Sequence, residues 1–227
     1  CEAEVLKRQA EKRTHAVSIL LVERQGQHVG VFFDQHPDIF DSYNAVLAAT
    51  EYSLVTTKAA RNVIKRRAKF LSLPLSTNNG QSMLTFDFLK MDVKKSKLTA
   101  EVIMKYLKSS SRIQIKTDAG TDLTLMKRGR MPGFFNGVTA DGGGFSSASI
   151  EVYIPVEECG TNGTMVIDGS LGYIGAARED TRVVFKEGRI VEIEETPTGK
   201  RLKEYMEGYH DSGIYVAGEL GIGLNSY

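Results

Sequence analysis

The sequence predicts an α/β protein whose two halves follow different patterns. Up to about residue 75, segments with helical spacing alternate with short apolar runs, which is typical of parallel strands joined by helices. From Ser111 onward, apolar and polar residues alternate between glycine-containing turns, which predicts β-hairpins. We therefore expect an α/β domain over residues 1–109 and a β-rich α+β domain over residues 110–227, with the boundary near Ser109.

In the first half, Thr57 gives a clear local signal, because a threonine before a helical run is a favourable N-cap. Predicted helices cover residues 1–13, 37–49, 58–69 and 99–107. Predicted strands cover residues 16–22, 52–55 and 70–75, of which the first is buried; residues 28–33 are a strand or a loop, and 84–88 a helix or a loop. Because the chain opens on a helix, we expect an earlier strand and further residues before Cys1.

In the second half, Asp118-Ala119-Gly120 and Glu187-Gly188 mark two hairpin turns. They join predicted strands 112–116 with 121–126, and 182–185 with 189–193. A strand over 150–154 is ended by Pro155, and further predictions are a turn at 160–163, a strand at 164–167, a helix at 198–209 and a closing strand at 214–219. Residues 129–144 are glycine-rich and are expected to be irregular.

Composition narrows the classes of partner. The 29 basic and 28 acidic residues nearly balance, so no overall field selects nucleic acid or an anionic membrane. There is no apolar run of about 18 residues that would span a bilayer. The two cysteines make no disulfide framework, which favours a reducing, cytoplasmic compartment. The basic helix over residues 58–69 is interpreted as a solvated face.

Two glutamates stand in positions that suit ligand or metal binding. Glu151 lies within a predicted strand, and Glu219 follows an apolar run and opens a turn that contains Gly218, Gly221 and Gly223. Glycines allow close backbone approach, and a carboxylate beside such a turn is placed to hold a ligand or a metal ion. Taken alone, a strand glutamate more often faces water on the polar side of a sheet.

Several motifs, in this order, resemble those of the thermophilic, aminopeptidase-T-type metallo-aminopeptidases. They are Gly120-Thr121-Asp122-Leu123-Thr124, Gly129-Arg130, Glu151 with Pro155-Val156-Glu157, Asn162-Gly163-Thr164 with Asp168, Gly188-Arg189-Ile190-Val191, and Glu219-Leu220-Gly221-Ile222-Gly223-Leu224-Asn225. The resemblance implies a Rossmann-like first part and a β-rich catalytic domain that holds two divalent metal ions, such as zinc or cobalt. Iron-dependent dioxygenases of dihydroxypyridine share that fold.

By this resemblance, Glu151 matches the family's first metal-binding glutamate and Glu219 its second. Two features depart from the family pattern. Ile150 stands where the family has glycine, and the sequence contains no counterpart of the family's downstream histidine and aspartate ligands. If the chain is complete, two carboxylates do not make a catalytic dinuclear centre.

Three functions remain open on these residues. The first is a non-catalytic peptide-binding protein without a cofactor, like the accessory proteins that present a precursor peptide in crocagin-type natural-product biosynthesis. Its expected peptide contacts are Arg130, Phe134, Phe135 and Tyr153, next to a sheet edge that pairs with the peptide backbone. The second is an active metallo-aminopeptidase whose remaining ligands lie outside this chain, with Glu151 and Glu219 binding metal. The third is an iron dioxygenase. The resemblance also implies a homodimer.

Overall fold

The computed structural model describes residues 2–23, 25, 29–74, 90–139, 145–147 and 150–225. The chain divides into two compact units, one made of residues 1–90 and 136–149, the other of residues 91–135 and 150–227. The helices are α1 Glu2–Ala10, α2 Val29–Gln35, α3 Lys58–Lys65, α4 Val93–Ser109 and α5 Pro197–Glu207. The strands are β1 Ala45–Ala48, β2 Lys69–Ser72, β3 Arg112–Lys116, β4 Asp122–Met126, β5 Gly133–Phe135, β6 Phe145–Ser147, β7 Glu151–Pro155, β8 Asn162–Ile167, β9 Thr181–Lys186, β10 Arg189–Ile193 and β11 Glu219–Gly223.

The first unit contains a three-stranded parallel sheet in the order β1-β2-β6. Its core includes Leu54, Val63 and Phe70, all nearly inaccessible to solvent. Thr57 caps α3 as expected, since its hydroxyl oxygen accepts a hydrogen bond from the backbone N–H of Ala60 at 3.2 Å. The α/β class and the parallel pairing predicted for this half are confirmed.

Several element assignments in this unit are wrong. Residues 16–22 lie outside any strand, and the side chain of Leu21 is 82% exposed. An apolar run forms a strand only where a neighbouring strand completes its backbone hydrogen bonds. Residues 29–35 are helical, and the predicted helix 37–49 is a series of turns followed by β1, which forms because it pairs with β2. Residues 52–55 are irregular. His28 and the segment 84–88 fall outside the described residues.

The second unit contains two antiparallel sheets, in the orders β10-β9-β8-β4-β3 and β11-β7-β5. Both predicted hairpins are confirmed; the turn at Glu187 and Gly188 has positive φ at both residues, as a tight two-residue hairpin loop requires. The closing strand begins at Glu219 rather than ending there, because residues 212–215 form a short 3-10 turn instead. Helix α4 starts earlier than expected, at an N-cap provided by Asp92.

Helix α4 covers one face of the sheet β11-β7-β5. Ala100 and Leu107 of the helix share an apolar cluster with Val152 and Ile154 of β7, and with Phe134, Leu220 and Ile222 of the outer strands. Because side chains alternate along a strand, the intervening residues of the same three strands lie on the opposite face. That opposite face carries both glutamates singled out from the sequence.

None of the helices in the described part of the chain has the length and apolar character of a membrane-spanning segment.

Candidate functional site

Strand register brings the candidate residues together on one face. Central strand β7 contributes Glu151 and Tyr153. In β11, Gly223 lies opposite Glu151 and Gly221 opposite Tyr153, while Glu219 lies opposite Pro155. In β5, Phe135 lies opposite Glu151, and Gly133 opposite Tyr153. Glu151 and Glu219, which are 68 positions apart in sequence (219 − 151 = 68), thus lie on the same face because β7 and β11 are neighbours.

The two carboxylates lie on the β11 side of this face. A Cβ atom at Gly221 would come within 2.7 Å of Glu151 Oε2, so the carboxylate of Glu151 occupies the space that the glycine leaves. Partial burial, and then the negative charge of Glu151, raises the pKa of Glu219. Among the described residues, no lysine or arginine forms an ion pair with either glutamate. The pair is therefore a site of uncompensated negative charge.

Two aromatic rings lie on the β5 side. The rings of Phe135 and Tyr153 stack with centroids 4.6 Å apart and an interplanar angle of 24°. A Cβ atom at Gly133 would lie 2.2 Å from Tyr153 Cζ and 2.3 Å from its hydroxyl oxygen, so the phenol lies across this glycine. Burial raises the pKa of Tyr153, and the charges of Glu219 and Glu151 raise it further, so Tyr153 is a neutral hydrogen-bond donor at neutral pH.

Ile150, directly before Glu151, has an unusual backbone conformation. Its φ of 49° lies in the left-handed region, although its side chain is β-branched and 4% exposed. Such a conformation costs about 1–3 kcal/mol and persists only where the surrounding structure enforces it. The carbonyl oxygen of Ile150 accepts a hydrogen bond from the N–H of Leu224 at 3.1 Å, which ties the start of β7 to the end of β11. The strain is therefore located next to the first glutamate.

Two of the predicted peptide contacts have other partners in the structure. Phe134 belongs to the apolar cluster with α4, on the face opposite Glu151. Arg130 donates hydrogen bonds to the carbonyl oxygen of Val156 and, at 2.6 Å, to the carboxylate of Glu158. This contact lowers the pKa of Glu158 and raises that of Arg130. Its guanidinium thus holds the segment that follows β7, and its role as a peptide contact stays a prediction.

Comparison of the sequence with models of known families shows which family it belongs to. Residues 53–227 match the family model described as NicX, 2,5-dihydroxypyridine 5,6-dioxygenase. The chain belongs to the NicX family. A comparison with curated protein sequences gives no match.

Two solved structures resemble this NicX-family chain. The 2,5-dihydroxypyridine dioxygenase from Pseudomonas putida KT2440 matches with a TM-score of 0.66 and 16% identity, over 91% of this chain and 59% of that one. AmpT from Thermus thermophilus matches with a TM-score of 0.57 and 15% identity, over 96% of this chain and 64% of that one. At these identities the likeness shows the fold alone, and it confirms the aminopeptidase-T-like α/β fold. The chain spans less than two thirds of either structure's length.

The donor set of the site fits part of a metal centre. Carboxylate oxygens are hard ligands for divalent cations, and Glu151 and Glu219 supply two such groups on the same face of neighbouring strands. The part of the chain that the structure describes holds no cluster of three or more histidine, cysteine, aspartate or glutamate side chains suited to a metal. The glutamates would therefore supply two of the ligands that a cation at this face needs.

Sequence reasoning singled out the glutamates, Phe135, Tyr153 and Gly221, but it expected Gly221 in a turn rather than a strand, and it missed Gly133. Gly133 and Gly221 each lie within a strand, where a glycine weakens packing and often marks a close approach. That signal was present in the sequence.

A shallow groove elsewhere is lined by α4 residues alone and includes neither glutamate.

Proposed function

We propose that this chain is the metal- and peptide-binding part of a divalent-metal-dependent aminopeptidase, in which Glu151 and Glu219 are metal ligands. The observation that carries the proposal is the uncompensated carboxylate pair on neighbouring strands. Partial burial and, after it, the charge of Glu151 raise the pKa of Glu219, and a divalent cation bound to both groups would offset the second of these causes. Gly221 contributes by leaving room for the carboxylate of Glu151.

Each residue has a definite part in this proposal. Glu151 and Glu219 would hold the cation, which would supply Lewis-acid polarisation of a peptide carbonyl. Tyr153 keeps its proton at neutral pH and offers a hydrogen bond to a substrate oxygen. The peptide backbone is expected to run along an edge of the sheet β11-β7-β5, whose outer strands are β11 and β5 among the described residues.

Two further functions have support of their own. The name of the NicX family favours an iron-dependent ring-cleaving dioxygenase. Against this, a non-haem Fe(II) oxygenase site is typically built from two histidines and one carboxylate, whereas this face carries two carboxylates. Peptide binding without catalysis is favoured by β11 and β5 being outer strands among the described residues, next to a stacked aromatic pair, and it needs no metal. Presentation of a natural-product precursor peptide is a finer form of that alternative, and none of the comparisons supports it.

Calorimetric titration of the purified chain with Zn²⁺, Co²⁺ and Mn²⁺ tests the metal site. We expect Glu151→Gln and Glu219→Gln each to weaken binding at least tenfold, since each removes one charged ligand, about 1.4 kcal/mol or more. Glu101→Gln on α4 is the control, because Glu101 is exposed and away from the site. Unchanged binding in both site variants would exclude the proposed ligands.

The same titration has an expected pH dependence. Because the folded state raises the pKa of Glu219, protons compete with the cation at a higher pH than at an ordinary glutamate, and affinity falls as pH decreases through that raised pKa. For the metal-free protein, the stability gained from protonating Glu219 is fully present below the unfolded pKa of about 4.3 and is lost as pH rises through the folded pKa.

Product analysis separates the three functions. Metal-dependent release of N-terminal residues supports the aminopeptidase. Oxygen consumption with 2,5-dihydroxypyridine after loading with Fe²⁺ would support the dioxygenase instead, and peptide binding without any product would support the non-catalytic protein. Each assay should be repeated with Glu219→Gln at limiting metal concentration, which should lower only the metal-dependent activities.

A further inference from the structure

Residues 16–22 form an apolar run whose backbone has no hydrogen-bond partner in the described part of the chain. The run has the sequence Ala-Val-Ser-Ile-Leu-Leu-Val and contains no charged residue, glycine or proline. It includes no turn, bend or helix, and none of its residues has a positive φ, which is compatible with an extended backbone. Among the described residues, no backbone hydrogen bond involves residues 15–23. The run is therefore a strand-like segment that lacks a neighbouring strand.

The side chains of this run are exposed as well. Leu20 is 52% exposed and Leu21 is 82% exposed, although both are large and apolar. The end of the run is held in place, because Val22 packs against the core of the first unit. Apolar side chains next to unbonded backbone N–H and C=O groups favour pairing with another strand. The backbone and the side chains thus point to the same kind of partner, an extended chain.

We propose that residues 16–22 pair with the same segment of a second copy of this chain, as an antiparallel two-stranded interface with Ile19 on the twofold axis. The opposed residues are Ala16 with Val22, Val17 with Leu21, and Ser18 with Leu20. Every residue of the run then lies opposite another residue of the run. Because such an interface uses the same segment of both copies, it closes as a dimer. The inference goes beyond the proposed function and does not depend on the metal site.

Charge at the two ends of the run favours this arrangement. His15 precedes the run and Glu23 follows it, so the antiparallel register places His15 of one copy opposite Glu23 of the other, twice in the dimer. A carboxylate accepts a hydrogen bond from an imidazole N–H, and opposed residues of unlike charge stabilise a strand pair. A parallel pair would instead place Glu23 opposite Glu23, which is unfavourable. The segment is thus complementary to itself in both apolar pattern and charge, which favours a second copy as the partner.

Disulfide cross-linking tests the register. The variants are made in a background with Cys1→Ser and Cys159→Ser. A single Ile19→Cys substitution should give a linked dimer, since opposed Cα atoms of antiparallel strands lie about 4.5–5.5 Å apart, within the range that a disulfide spans. A single Leu21→Cys substitution should not, because the two Leu21 positions are displaced by about four residues, or roughly 14 Å, along the strands. Leu21 is more exposed than Ile19, so random collisions would give the opposite result.

A charge swap at exposed positions tests the pairing without changing the core. Ser18 and Leu20 are both exposed and lie opposite each other in the proposed register. Ser18→Glu combined with Leu20→Glu places like charges opposite each other in both symmetric pairs, whereas Ser18→Lys combined with Leu20→Glu places opposite charges there. We expect the first double variant to dimerise about tenfold more weakly than the second, measured by analytical ultracentrifugation over a dilution series.

The outcomes for this interface and for the metal site are distinguishable. A wild-type chain that stays monomeric at every concentration overturns the interface, and so does a dimer that is equally tight in both double variants. Faster cross-linking through Leu21→Cys than through Ile19→Cys also overturns it. Circular dichroism shows whether the double variants are folded, and cross-linking decides alone if either one is not. Failure to bind a divalent cation would remove the proposed function and leave the interface standing, because Glu151 and Glu219 belong to the other compact unit.

Discussion

Ile150 illustrates how one residue bears on the site. The sequence places isoleucine where the resembling family has glycine, and the structure gives this residue a left-handed conformation that favours glycine. Its side chain is nevertheless buried, so hydrophobic burial opposes the backbone strain at the same position. The strain lies directly beside Glu151 in the chain.

Comparing Ile150→Ala with Ile150→Gly separates these two effects. Both variants lose the buried side chain, but only glycine accepts the positive φ without strain. We expect the glycine variant to be the more stable of the two by about 1 kcal/mol, measured by urea unfolding. At an ordinary strand position, the alanine variant is the more stable of the two.

Thr124 in β4 provides the matched control for Ile150, because it lies within a strand and its φ is not positive. At that position, alanine should be more stable than glycine. If the alanine variant were the more stable one at position 150 as well as at position 124, the strain assigned to Ile150 would be contradicted.

At the scale of elements, the site depends on how α4 supports the sheet β11-β7-β5. Ala100 is completely buried against Val152 and Ile154, the residues that alternate with Glu151 and Tyr153 along β7. A small residue here lets the helix approach the sheet closely. The position of the carboxylate face thus depends on packing across the opposite face of the same strands.

Enlarging Ala100 tests this support. We expect Ala100→Leu to destabilise the protein by about 1–3 kcal/mol through overpacking, and to weaken divalent-cation binding because β7 is displaced. Val102 lies on the outer side of α4 and is 57% exposed. Val102→Leu should therefore change the free energy of unfolding by no more than about 0.5 kcal/mol. Equal effects of the two substitutions would show that α4 does not position the site.

At the scale of the whole molecule, the predicted domains 1–109 and 110–227 stay a prediction. Within the second compact unit, α4 packs on β7, and Leu107 shares their apolar cluster. We expect a fragment of residues 91–227 to fold, whereas a fragment of residues 110–227 leaves that apolar face uncovered and aggregates. Circular dichroism and size exclusion of the two fragments check this expectation; a well-folded 110–227 fragment would establish the boundary near Ser109. The homodimer and the cytoplasmic location likewise stay predictions.

Local signals in the sequence determined the features that depend on near neighbours. The hairpin turns, the cap at Thr57, the strand of Glu151 and the β-rich character of the second half were all predictable, because turn chemistry and alternation act over a few residues. The assignments at residues 16–22 and 37–49 failed because strand formation depends on a pairing partner far along the chain.

Only the tertiary structure decided what makes the candidate site. The sequence named Glu151, Glu219, Phe135 and Tyr153, but the register of β7 with β11 and β5 placed them on one face and turned Phe134 to the other. The same register put Gly221 and Gly133 beneath the carboxylate and the phenol. Register sets which side chains share a face, and it is fixed by burial of the apolar side of the sheet against α4, a long-range interaction that no local pattern specifies.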